Sequence, residues 1–127
     1  MQKEIEAALK KTNEYLEEAI KAVVNKNEVK VREMIWKASS ELEYFLFLLS
    51  MAIGEDNLQK ANPRLGSDPK IKGEIGPFLV SIQDLLTEAQ KLLQRKSRIE
   101  AYVKAKAARN GLLRLHTTLE RQMKAKK

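Results

Sequence analysis

The amino-acid sequence predicts an all-α fold: an antiparallel bundle of four helices in one domain of 127 residues, with a Gly/Pro-rich connection at 54–77. Three observations predict it. Apolar residues recur at three- and four-residue steps through most of the chain, the spacing of one helix face. Four of the five glycines (54, 66, 73, 76) and all three prolines (63, 69, 77) fall within 54–77, so helix-breaking residues are confined to one stretch. Hydrophobic content of 43% with 32% charged residues is globular, and a chain of this length can bury a core.

The first helix spans about 2–24. Ile5, Ala8, Leu9, Thr12, Tyr15, Leu16, Ala19, Ile20 and Val23 fall on one side, and Glu6–Lys10 and Glu17–Lys21 are i,i+4 pairs on the other. Asn25-Lys26-Asn27 breaks it, because asparagine tolerates left-handed and capping conformations. Asn27 is placed to cap the second helix, 28–53, and so short a connection makes the two helices antiparallel neighbours.

The second helix is the most apolar part of the chain. Val31, Met34, Ile35, Ala38, Leu42, Phe45, Leu46, Leu49, Ala52 and Ile53 form one stripe at about 100° per residue. Trp36, Tyr44, Phe47 and Met51 form a second row on the opposite side, interrupted by Ser40. A bundle helix needs one buried stripe, so this one is either central to the fold or meets another molecule there. The second row is therefore the expected oligomer interface. Gly54 ends the helix. A short helical turn is expected near Asn57–Ala61, with Leu58, Leu65, Ile71 and Ile75 pinning the connection to the bundle.

Gly76-Pro77 opens the third helix, about 77–95, which buries Phe78, Leu79, Ile82, Leu85, Leu86, Ala89, Leu92 and Leu93. Ser97 and Glu100 match a capping box. The stripe Ala101, Ala105, Ala108, Leu112, Leu115, Leu119 and Met123 is also out of phase with the preceding one. Both signs favour a fourth helix over 98–124. The alternative is one long C-terminal helix after two N-terminal ones, since 95–98 contains no Gly, Pro or Asn.

Charge is unevenly distributed. Residues 1–53 carry 8 basic and 9 acidic side chains, and 54–77 carry 4 of each. Residues 78–127 carry 12 basic and 4 acidic, which accounts for the net +7 of the chain. Such asymmetry points to a polyanionic partner. At the helical period Lys91, Arg95, Arg98, Lys106, Arg109 and Lys124 fall within one sector, with Lys96, Arg114 and Arg121 beside it. A row of this kind suits the phosphate backbone of RNA or DNA, without sequence preference, and Tyr102 could stack a base. The same surface could meet an acidic protein.

The catalytic inventory is small. There is no cysteine, and the single histidine, His116, excludes a multi-histidine metal site. Neither phosphate-cradling glycine motif occurs, and no cofactor, metal or small-molecule ligand is expected. Glu41 and Glu43 read as residues flanking the apolar run. The longest near-apolar run, Tyr44 to Ile53, is 10 residues, well short of the roughly 18 that a membrane span requires. The N-terminus has no apolar leader segment and cysteine is absent, which suits the cytoplasm.

Arg109-Asn110 followed by His116 is similar to the R-x(4–6)-H motif of HEPN domains. These are small helical bundles that often dimerise and in many cases cleave RNA without metal. The resemblance implies His116 as general acid/base and Arg109 as the group stabilising phosphorane-like charge. The leading expectation is a non-enzymatic interaction module, an oligomer or complex subunit with a basic C-terminal helix. A HEPN-like ribonuclease is the alternative.

Overall fold

The computed structural model describes residues 2–59 and 74–125. Among them are five helices and no strand: α1 (Gln2–Val24), α2 (Glu28–Ile53), α3 (Glu55–Gln59), α4 (Ile75–Gln94) and α5 (Arg98–Ala125). The short turn expected near Asn57–Ala61 starts earlier, as α3, directly after Gly54; Ala61, Leu65 and Ile71 lie outside the described residues. Leu58 and Ile75 do pack against the core. The fourth-helix reading holds and the single long C-terminal helix does not, because the chain reverses at 95–97.

The two three-residue turns are built alike. After α1, Lys26 takes φ 57°, and the Asn27 N–H donates to the Ala22 carbonyl at 2.9 Å. After α4, Lys96 takes φ 62°, and the Ser97 N–H donates to the Leu92 carbonyl at 2.8 Å. In both, a left-handed residue lets the chain fold back to satisfy carbonyls that the helix end leaves open. Asn27 also caps α2, its Oδ1 accepting from the Lys30 N–H at 3.2 Å. Gly54, at φ 89°, ends α2 in a conformation that a Cβ would strain. The helix α4 begins at Ile75 rather than 77, which still leaves Pro77 in the first turn, where its missing N–H costs nothing.

Each long helix packs on two others, in the cyclic order α1, α2, α5, α4. Neighbours meet end to opposite end. Gln83 of α4 donates to Glu17 of α1 at 3.0 Å, while Gly76 lies beside Val23. Gln2 and Glu6, at the start of α1, share a groove with Leu93 and Gln94. Likewise Leu119 and Gln122 of α5 lie with Glu28 and Val31, and Ile99 lies with Ile53. The chain therefore leaves α2 at one end of the bundle and enters α4 at the other.

One core runs through the four long helices, with Leu16, Ile35, Leu42, Phe45, Leu79, Leu86, Leu112 and Leu115 among its fully enclosed side chains. Every residue of the four sequence-derived stripes whose burial is described is buried or half-buried. Ala22, Leu48 and Ala107 are buried in addition, on flanks that only the neighbouring helices define. Among the described residues Thr12 is the one buried polar residue of the core, and its hydroxyl donates to the Ala8 carbonyl at 2.8 Å. Its hydrogen bond is thus satisfied within its own helix.

Candidate functional site

The helix α2 has one face toward the core, one flank toward α1 and one toward α5. No described helix covers its fourth side. There Trp36 is 62% exposed, Tyr44 48%, Phe47 59% and Met51 56%. Val29, 68% exposed, extends the row toward the start of the helix. At 1.5 Å per residue the row from 29 to 51 is roughly 33 Å long. Among the described residues the second row is left exposed, because a helix in a four-membered ring has only two neighbours.

Ion pairs occur within this face and on its flanks. Glu33 stands in the row between Val29 and Trp36 and meets Lys37 at 3.2 Å, and on the α1 flank Lys30 meets Glu18 at 3.5 Å. On the other flank Glu43 meets Arg109 of α5 at 3.3 Å. Glu43 is thus more than a flanking residue of the apolar run: it ties α2 to α5. One turn beyond Arg109 on the same side of α5 lies Leu113, 46% exposed, which the sequence does not mark because it falls between the core positions Leu112 and Leu115.

The basic residues do not form one row. Lys91 belongs to α4, Arg95 ends it, Lys96 makes the turn and Arg98 begins α5. The shared sector assumed an unbroken helical phase, and the reversal at 95–97 removes it. On α5 itself Arg98, Lys106, Arg114, Arg121 and Lys124 are exposed. Arg109 is largely covered: its Nη1 is engaged by Glu43, and its Nε is buried with no hydrogen-bond partner. Lys104 is held by Glu88 of α4 at 3.3 Å. Tyr102 is half-buried and packs against the core.

Arg109 and His116 share a side of α5, but each is turned to its own carboxylate. His116 Nε2 lies 2.9 Å from Glu120 Oε1, while Arg109 reaches Glu43. An open polar groove lies across the bundle between α1 and α4, lined by Glu6, Asn13, Glu17, Gln83 and Asp84, with Asn13 Oδ1 buried and without a hydrogen-bond partner. Among the described residues, no cluster of three or more His, Cys, Asp or Glu side chains is placed to hold a metal ion. No described helix is long and apolar enough to cross a membrane. Comparison with family models, curated proteins and solved structures returns no match. The site must be read from its own chemistry.

Proposed function

We propose that this chain is a non-enzymatic helical interaction module, a subunit of an oligomer or complex, that docks through the outer face of α2. The observation that carries this reading is the bare row Trp36, Tyr44, Phe47 and Met51. Taking about 200 Å² for each fully exposed side chain, the row leaves roughly 450 Å² of apolar surface in water. Contiguous patches of that size on soluble proteins mark interaction sites. Covering it returns roughly 10 kcal/mol before the cost of association is subtracted.

The experiment is site-specific photo-crosslinking in source cells, with benzoylphenylalanine replacing Phe47 and, as a control, the exposed Lys11 on α1. Discrete adducts should form from position 47 and not from position 11. If position 47 gives none, or only the scatter of products that position 11 gives, the docking face is wrongly assigned.

A second reading concerns α5, which carries seven Lys/Arg against two glutamates, with Lys106, Arg121 and Lys124 exposed. That surface supports binding to a nucleic-acid backbone, or to an acidic protein. Backbone binding should weaken steeply with salt through counterion release and be lost on Lys106→Glu with Arg121→Glu. Salt-insensitive retention of RNA and DNA, or no retention in dilute buffer, removes the nucleic-acid reading.

A further inference from the structure

We infer that the occupant of the α2 face is a second copy of this chain, packed antiparallel about a two-fold axis beside Ser40. The inference rests on the docking role proposed for that face and names its partner. Two pairs of the exposed apolar positions of α2 are symmetric about Ser40: Trp36 and Tyr44 stand four residues before and after it, Val29 and Met51 eleven before and after, while Phe47 has Glu33 as its counterpart at seven. Steps of four and eleven both return to the same face of a helix. A two-fold interface requires this self-complementarity, because whatever one copy's residue i does to j, the other's j does to i. A reversed copy sets Trp36 against the second copy's Tyr44, and Val29 against its Met51.

Serine at the centre of the row is exposed and small, and it lets two backbones approach where the axis passes. The charges agree with reversal. A second copy laid parallel would put Glu33 against Glu33, a like-charge contact within the face. A reversed copy instead brings Lys37 opposite the second copy's Glu41, a favourable pairing across the rim. Area agrees as well. Two copies of the row, with Val29 included, remove roughly 1,100 Å² of apolar surface, and the flanking polar side chains bring the total to about the lower bound for a specific interface. The same axis places both α5 helices on one side of the pair, with Arg121 and Lys124 of the two copies toward its opposite ends.

The cysteine-free chain makes the arrangement directly testable. Ser40→Cys, Val29→Cys and Met51→Cys are prepared singly and treated with a short bismaleimide. Ser40→Cys should give a crosslinked dimer alone. Val29→Cys and Met51→Cys should give it only when mixed. Light scattering should show a dimer of the 14.5 kDa chain that Trp36→Glu with Phe47→Glu reduces to a monomer of unchanged helicity. Trp36 is the sole tryptophan, so its emission should move to shorter wavelength as the dimer forms. A parallel pair, with Val29→Cys and Met51→Cys each crosslinking to itself, overturns the inference. So does a monomer at every concentration. In the latter case, adducts from position 47 to a different protein would leave the docking face standing and refute only the second copy.

Discussion

Lys96 and Lys26 are the non-glycine residues of the described chain with positive φ, and both turns depend on that conformation. A left-handed residue with a Cβ costs about 1–2 kcal/mol relative to its right-handed form. Glycine avoids that cost but returns about 0.4–1 kcal/mol of freedom to the unfolded chain. Lys96→Gly should therefore stabilise the fold by about 0.5–1 kcal/mol, and Lys26→Gly by a similar amount. The turns lie at opposite ends of the bundle, so the double variant should gain about 1–2 kcal/mol by additivity. Urea unfolding followed by circular dichroism is the assay, with a raised midpoint at unchanged slope as the expected result. Lys96→Ala is the control: it removes the same charge but keeps a Cβ, and should gain nothing. If glycine is no more stable than alanine at both positions, the left-handed turns are not where strain resides.

Three further outcomes follow from the packing. Phe45→Ala empties a fully enclosed site at the middle of α2 and should cost about 3–5 kcal/mol by the same unfolding assay; a loss under about 1 kcal/mol would mean that Phe45 is not enclosed as described. Asn27→Ala removes the acceptor for the Lys30 N–H and should cost about 1 kcal/mol, whereas Asn27→Ser should retain most of the stability. A double-mutant cycle on Glu43→Gln and Arg109→Met should give a coupling below about 1 kcal/mol, because the glutamate is more than half exposed. That coupling should shrink as salt is raised, and a larger, salt-insensitive value would mean the pair is shielded from solvent.

The helices and their inner faces were legible because each buried stripe is a local pattern at a fixed step, from Ile5 to Val23 and from Val31 to Ile53. Asn27 and Gly54 announced their ends by residue type. The reversal after α4 was harder to read, since its left-handed residue is Lys96, where glycine or asparagine is the usual mark. Only the Ser97/Glu100 spacing and the shifted Ala101–Leu115 stripe indicated it. The same ambiguity explains why Lys91 and Arg95 were aligned with Lys106 and Lys124: a projection is valid only within one helix. The bare state of Trp36, Tyr44, Phe47 and Met51 depends on how many neighbours α2 has, and periodicity along a single helix carries no information about that. The partner of Arg109 was hidden for the same reason, because Glu43 reaches it across a gap of sixty-six positions in the chain.

The chain quits α2 at one end of the bundle and takes up α4 at the other, and this divides the molecule into two local units. Residues within α1–α2, or within α4–α5, find one another across three-residue turns, while the two halves are tethered through a single long segment. A single residue added at Lys26 or Lys96 would therefore throw one hairpin out of register and leave the hydrogen bonds that close the other turn as they are.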